Sequence, residues 1–170
     1  MSAANDLVGT GRLPGRGFDL EDRVAIVTAS GANGGLGHAI ALGLARLGAD
    51  VVTNGRTASF AEQTAEEIRE LGRRSIAVPG DVAEPADVHR LFEECDRAFG
   101  GLDILVNNAG IGHREHPEAL TLGDWDRVVR LNLTGTFLCC QEAAQRMFAR
   151  GGGSIVNVSS IAGALALGRG

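Results

Sequence analysis

The chain has 170 residues, a formal net charge of −5 and an apolar fraction of 44%. This length suits one domain, and the negative charge argues against a nucleic-acid partner, because phosphate binding needs a basic surface. The sequence has no apolar span of transmembrane length, and its first residues lack the apolar stretch of a signal peptide. We therefore expect a cytoplasmic protein with no membrane partner.

Two further features are the composition of the N-terminal segment and the number of cysteines. Residues 1–19 are rich in Gly, Ser, Ala and Arg, which predicts a flexible tail ahead of a domain at 20–170. The three cysteines, Cys95, Cys139 and Cys140, are odd in number and lack the spacing of metal ligands. They are interpreted as packing residues in a reducing cytosol.

Strand-like and helix-like segments alternate along the rest of the chain. Continuous apolar runs predict strands within 24–30, 50–55, 74–80, 102–110 and 154–160. Helical spacing of Leu36, Ile40, Leu44 and Leu47 predicts the first helix, and similar patterns predict helices near 60–71 and 85–99. A last, long helix is predicted from Thr121, which forms a capping box with Asp124, to the glycines at 151–153.

This alternation predicts the fold class. Continuous rather than alternating apolar runs indicate strands that are buried on both faces. The sequence therefore predicts an α/β protein, a three-layer doubly wound parallel sheet covered by helices on both sides.

A glycine-rich turn joins the first strand to the first helix. Gly31, Gly35 and Gly37 form a G-x-x-x-G-x-G pattern. Glycine lets the backbone approach a pyrophosphate closely, and the following helix N-terminus offers free N–H groups. The alternative is an ordinary tight turn, but the position after the first strand favours a dinucleotide site.

Further motifs carry a family resemblance. They are "GDV" (80–82), "NNAG" (107–110), "LNLTG" (131–135) and "SIVNVSS" (154–160). In this order they resemble the short-chain dehydrogenase/reductase family, from Val24 to the end of the chain, and especially its 3-oxoacyl-thioester reductases. The resemblance implies a Rossmann fold, with five of the family's seven strands present here.

The resemblance implies that the turn binds the cofactor diphosphate. The positions concerned are Ser30, Gly31, Asn33, Gly35, Leu36 and Gly37. The turn departs from the family pattern, in which a Thr-Gly pair opens the glycine run. Here Thr28 is followed by Ala29, and Ser30 stands at the threonine's position as if two residues had been inserted.

The end of the second strand bears on the choice of nucleotide. An acidic residue there binds the ribose of NAD, whereas an arginine accommodates the 2′-phosphate of NADP. By resemblance, Gly55 holds the acid's position and Arg56 follows it. NADP(H) is therefore favoured over NAD(H), the alternative being that Arg56 is a solvated loop residue.

Residues after the third and fourth strands complete the implied cofactor site. Asp81 and Val82 match positions that contact the adenine, although Asp81 would serve equally as a turn cap. Asn108, Ala109 and Gly110 match positions beside the riboses, with neighbouring Asn107 supporting the sheet. The alternative for both amides is a purely structural hydrogen-bonding role.

The reaction site is implied only in part. The family transfers hydride between a nicotinamide and a carbonyl or secondary alcohol, using an asparagine, a serine, a tyrosine and a lysine. Asn132 and Ser160 match the first two. The sequence contains no tyrosine, and all sixteen of its Lys+Arg residues are arginine. By family spacing, the Tyr-x-x-x-Lys motif should come just beyond Gly170.

We therefore expect this chain alone to be inactive or nearly so. The alternatives are a non-catalytic dinucleotide-binding module and a non-functional truncation product. The resemblance also implies a small-molecule substrate, either a 3-oxoacyl thioester or a sugar acid or polyol. It further implies a homo-oligomeric full-length form, a dimer or tetramer.

The remaining candidates are weaker. His113 and His116 lack further ligands at metal spacing, so no metal site is predicted, and they are expected near the substrate entrance. Trp125, the only tryptophan, is interpreted as a core or interface anchor. The fifth strand is expected to form an exposed apolar edge of the sheet.

Overall fold

A computed structural model describes residues 19–31 and 34–163. The predicted tail therefore lies outside the described residues, except for Asp19. The strands are β1 (Val24–Val27), β2 (Asp50–Gly55), β3 (Ser75–Pro79), β4 (Ile104–Asn107) and β5 (Ser154–Asn157). The α-helices are α1 (Leu36–Arg46), α2 (Ala58–Glu70), α3 (Pro85–Phe99), α4 (Leu122–Val129) and α5 (Thr136–Ala149). In this described part of the chain, no helix is both long and apolar enough to cross a membrane.

The five strands form one parallel sheet in the order β3-β2-β1-β4-β5. Parallel partners need crossover connections, and α1 to α5 supply them. The chain winds outward from β1 to β3, then returns to the other side of β1 through β4. This reversal places a crevice at the carboxyl ends of β1 and β4, where open α/β sheets bind ligands. The predicted fold class is confirmed.

Two hydrophobic clusters fill the spaces above and below the sheet. On one face, Ile26 and Val52 pack with Phe92 of α3 and Cys139 of α5. On the other face, Val27 and Val51 belong to the cluster that includes Ala41 and Ala45 of α1. All four residues of β1 are buried, as its continuous apolar run predicts.

The long helix differs from the prediction. A π-helical segment, Arg130–Gly135, separates α4 from α5. Gly135 packs so closely on Val82 that an added Cβ would lie 2.9 Å from the Val82 carbonyl oxygen. The spacing of apolar residues does not reveal a π-helical segment, because the apolar stripe of the helix continues on both sides of it. The predicted N-cap is confirmed, since the Thr121 hydroxyl accepts a hydrogen bond from the Asp124 N–H at 3.1 Å.

The fifth strand lies at the edge of the sheet, and all four of its residues are exposed. Val156 is 48% exposed, and nearby Phe137 of α5 is 59% exposed. The expected exposed edge is therefore present. β5 differs from the expectation that both faces of every strand are buried, because all four of its residues are exposed.

Two phenylalanines, one buried and one exposed, allow a test of the core packing. Phe92→Ala should lower the free energy of unfolding by about 3–5 kcal/mol, because the ring is fully buried between α3 and the sheet. Phe148→Ala is the control, because that ring is 83% exposed, and it should change stability little. Urea denaturation followed by circular dichroism measures both. Equal losses would contradict the described packing.

Candidate functional site

A cleft opens where the carboxyl ends of β1 to β4 meet. Loop residues after each of these strands line it, together with one residue of the π-helical segment. The lining residues are Ala29, Asn54, Gly55, Arg56, Gly80, Asp81, Val82, Ala109, Gly110, Ile111 and Leu131. Six of the predicted cofactor residues thus lie together: Arg56, Asp81, Val82, Ala109 and Gly110 in this lining, and Gly31 in the adjoining recess.

Thr28 is buried directly after β1, beside the cleft residue Ala29. Its buried hydroxyl oxygen accepts hydrogen bonds from the backbone N–H groups of Asn108 and Ala109, both at 2.9 Å. The next residue, Ala29, has a φ of 50°, in the left-handed region that favours glycine. Sequence reasoning did not assign Thr28 to the site, although the threonine that opens the family's turn was a signal for it.

Ser30 bonds the end of β1 to β2. Its side chain is fully buried, and its hydroxyl donates to the Val27 carbonyl at 2.7 Å while accepting from the Asn54 N–H at 3.1 Å. The Ser30 hydroxyl is thus committed to holding β1 against β2 and is not presented to a ligand. The assignment of Ser30 to the cofactor site stays a prediction.

The glycines of the turn serve close packing. A Cβ on Gly31 would lie 2.6 Å from the Ala61 backbone nitrogen, and one on Gly37 would overlap the Ala29 carbonyl and the Asn108 amide. Gly35 is the N-cap of α1 and provides no side-chain hydrogen bond, and Leu36 begins the helix with an exposed side chain. Among the described residues, no side chain caps the first N–H groups of α1. Asn33 lies outside the described residues.

Arg56 follows β2 as an exposed residue of the cleft rim. Among the described residues, its guanidinium has neither an ion-pair nor a hydrogen-bond partner. Gly55, which precedes it, has no side chain to occupy the space over the β2 end. The end of β2 therefore has no carboxylate, as the sequence predicts, and the adjacent Arg56 cation has no partner among the described residues.

Asp81 and Val82 follow β3. The Asp81 carboxylate accepts a hydrogen bond from the Ala83 N–H at 3.0 Å, so it caps the turn, and it also lines the cleft. Val82 is 5% exposed and packs in the core cluster of α3. The two interpretations of Asp81 are thus compatible.

Both amides at the end of β4 have partners within the sheet. Asn107 donates to the side-chain oxygen of Asn157 at 2.9 Å, and Asn108 donates to the carbonyl of Thr28 at 3.0 Å. These bonds link β4 to β5 and to β1, respectively. Both side chains thus make structural hydrogen bonds, and the place of Asn108 in the cofactor site stays a prediction, while Ala109 and Gly110 line the cleft.

Asn132 lies in the π-helical segment and faces the loop after β4. Its side-chain oxygen accepts from the Ile111 N–H at 2.9 Å, and its amide donates to the Ile111 carbonyl at 2.8 Å. The Asn132 side chain thus bonds both the N–H and the carbonyl of Ile111, as the backbone of a neighbouring strand would. π-Helical turns are frequent at functional sites, because they re-aim one side chain within a helix.

Ser160 lies three residues beyond β5 and is exposed. The hydrogen bond from the Val158 N–H to the Asn107 carbonyl, 2.9 Å long, continues the β4–β5 pairing toward it. The Ser160 hydroxyl accepts from the Ala162 N–H at 3.2 Å, at the start of a short 3₁₀ turn, Ile161–Gly163. This hydroxyl retains its own proton as a donor.

The histidines and Trp125 complete the surroundings. His113 lies in the loop after β4, with its Nδ1 3.3 Å from Arg127 and 3.8 Å from the Asp124 carboxylate. The Thr121 hydroxyl lowers the pKa of the Asp124 carboxyl. No group of His, Cys, Asp and Glu within the described ranges could hold a metal ion. Trp125 is 57% exposed, so it is not a core residue, and its role as an interface anchor stays a prediction.

The cysteines are packing groups, as predicted. Cys95 and Cys139 are buried, and burial raises the pKa of each thiol to about 12. Such thiols are protonated at neutral pH and make poor nucleophiles. Cys140 is half-buried and accepts a hydrogen bond from the Asn107 amide at 3.3 Å.

The geometry can now be compared with known proteins. The family model described as short chain dehydrogenase matches residues 23–169. The chain belongs to this family. It is 39% identical over 145 residues to 2-dehydro-3-deoxy-D-gluconate 5-dehydrogenase of Escherichia coli, covering 85% of this chain and 56% of the relative. It is 40% identical over 150 residues to D-threitol dehydrogenase of Mycolicibacterium smegmatis, covering 88% and 57%.

Solved structures of the family share the fold. A gluconate 5-dehydrogenase from Burkholderia cenocepacia, in complex with NADP and tartrate, has a TM-score of 0.81 and 40% identity, covering 88% of this chain and 58% of that one. A 7α-hydroxysteroid dehydrogenase complexed with NADH and a 7-oxo bile acid has a TM-score of 0.83 and 33% identity, covering 87% and 57%. The chain thus spans little more than half the length of the relatives it matches.

Two glycines of α1 provide a matched test of the turn. Gly37→Ala should destabilise the protein by several kcal/mol, because its Cβ would overlap the Ala29 carbonyl and the Asn108 amide. Gly43→Ala meets open space in the same helix and should stabilise by about 0.4–1 kcal/mol. Urea unfolding distinguishes the two, and the turn is described wrongly if they behave alike.

Proposed function

We propose that this protein is an NAD(P)(H)-dependent oxidoreductase. It would transfer hydride between the nicotinamide, which supplies or accepts it, and the carbon of a carbonyl or secondary alcohol. The main support is the cleft at the carboxyl ends of β1 to β4, where the cation of Arg56 and backbone from all four strand ends line the same space. The glycine turn, which adjoins this cleft at Gly31, leads to the N-terminus of α1. These are groups that a dinucleotide phosphate needs.

Individual residues are assigned to parts of the cofactor. The N–H groups at the start of α1, near Gly35, Leu36 and Gly37, would bind the diphosphate. Asp81 and Val82 would border the adenine, and Ala109 and Gly110 the riboses. Gly31 and Ser30 would act by shaping the turn, since both are packed into the scaffold.

We further propose a preference for NADP(H) over NAD(H). Arg56 has no partner among the described residues, and the guanidinium of arginine pairs bidentately with phosphate. The relatives support the cofactor class and leave the preference open, because one solved neighbour is complexed with NADP and another with NADH. The preference therefore depends on Arg56 itself.

At the substrate end, Ser160 would donate its hydroxyl proton in a hydrogen bond to the substrate oxygen, where negative charge develops as hydride arrives. Asn132 would hold the loop at Ile111 that borders the site. The chain contains neither tyrosine nor lysine, so it has no phenol to protonate that oxygen. We infer that the 170-residue chain by itself is inactive or nearly so, the alternatives being a non-catalytic dinucleotide-binding module and a non-functional truncation product.

The proposed substrate is a small sugar acid, polyol or 3-oxoacyl thioester. The first two have direct support in relatives that are named gluconate and threitol dehydrogenases. We also propose a reducing, cytoplasmic setting, in keeping with three free cysteines. A homo-oligomeric full-length form is supported by exposed Leu133, Phe137 and Phe148 along the helical face.

Arg56→Gln tests the cofactor preference. It should weaken NADPH binding roughly tenfold to a hundredfold, because a charged hydrogen bond is lost, and leave NADH binding nearly unchanged. Isothermal titration calorimetry at fixed ionic strength measures both affinities. Arg46→Gln is the control, an exposed arginine at the far end of α1. Equal losses for both cofactors would refute the assignment.

The catalytic inference is tested by comparing binding with turnover. The purified chain should bind NADPH yet reduce sugar-acid and 3-oxoacyl substrates at rates roughly 10²–10⁴-fold below those of a complete family enzyme, since the general acid is absent. Absorbance of NADPH follows the reaction. Rates comparable with the complete enzyme would show that a group other than a phenol protonates the substrate.

A further inference from the structure

Asn54 is a buried polar residue near the carboxyl end of strand β2, just before Gly55 and Arg56. It is only 2% exposed, yet it lines the cleft between the ends of β2 and β3. Its neighbours along β2 are apolar or face the opposite side of the sheet. A buried amide needs hydrogen-bond partners, so each of its polar atoms has to be accounted for.

Three of the four polar groups of Asn54 are satisfied by the protein. Its backbone carbonyl accepts from the Ser30 N–H at 2.8 Å, and its backbone N–H donates to the Ser30 hydroxyl at 3.1 Å. Its side-chain nitrogen donates to the carbonyls of Val78 at 3.0 Å and Gly80 at 3.4 Å. Because carbonyls only accept, these two contacts identify the nitrogen and fix the orientation of the amide.

The fourth group, the side-chain oxygen Oδ1, has no hydrogen-bond partner among the described residues. We propose that Oδ1 of Asn54 is a further ligand-binding group of the cleft and accepts a hydrogen bond from the adenosine part of the cofactor. This inference rests on the proposed function. The donor is a neutral N–H or O–H, either the exocyclic amine of adenine or the 3′-hydroxyl of the ribose, both of which are free in NADP(H).

The chemistry of an amide oxygen limits what it can recognise. It only accepts, so it selects a donor and disfavours a phosphate oxygen or a carbonyl at the same place. Arg56, two residues further on, has the opposite preference. The β2 end therefore presents a cation at the exposed rim for an anionic group, and a neutral acceptor at the buried floor for a donor.

Nucleotides that each lack one donor test the proposal. ADP, inosine 5′-diphosphate and 3′-deoxy-ADP are titrated into the 170-residue chain by calorimetry. If Oδ1 takes the amine, the inosine compound should bind roughly fivefold to fiftyfold more weakly than ADP, and if it takes the hydroxyl, the deoxy compound should. Equal affinities for all three would overturn the proposal. Failure of every nucleotide to bind would instead overturn the proposed function.

Variants then attribute the discrimination to Asn54. Asn54→Leu should remove the difference between the analogues. Thr53→Val is the matched control, because this buried neighbour bonds the Ala61 carbonyl at 2.8 Å on the other side of β2, and it should retain the difference. Discrimination that survives in a folded Asn54→Leu would refute the assignment.

A second measurement covers the case in which Asn54→Leu does not fold. The side-chain amide resonances of Asn54 in the unaltered protein should shift on binding ADP, and shift much less with the analogue that lacks the donor. Shifts of equal size with all three nucleotides would overturn the proposal without any variant.

Discussion

The hydroxyl of Thr28 holds together the strand ends on which the cleft is built. Where parallel strands stop, their last N–H and carbonyl groups lose their ladder partners, and buried ones must be satisfied in another way. Thr28 solves this for β4 by accepting from two successive N–H groups, those of Asn108 and Ala109. The strand ends are thereby bonded to each other by protein groups.

The same solution is repeated across the sheet. Ser30 bonds the end of β1 to Asn54 of β2, and the Asn54 amide bonds the carbonyls at the end of β3. Asn107 bonds Asn157 of β5. A series of short polar side chains therefore connects all five strands at one edge. Polar groups left over after this bonding, above all the Arg56 guanidinium, are the ones available to a ligand.

Sequence reasoning predicted the architecture because burial dictates it. The run at 50–55 coincides with β2 and the segment from Pro85 to Phe99 with α3, since apolar spacing and helix ends are local properties. The roles of Ser30 and Asn54 were not predictable in this way. Whether a small polar side chain meets a ligand or a neighbouring strand depends on the direction in which the backbone turns, here on the left-handed Ala29.

The two halves of the cleft differ in how firmly they are held. The half proposed to bind adenosine stands on β1, β2 and β3; β1 and β2 are packed between helices and paired with a strand on each side, and β3 is paired with β2. Ser160 follows β5, an exposed edge strand paired with β4. Local opening is easier where few apolar contacts cover the backbone. The proposed cofactor site therefore stands mainly on the more firmly held strands, whereas the Ser160 hydroxyl follows the most exposed one.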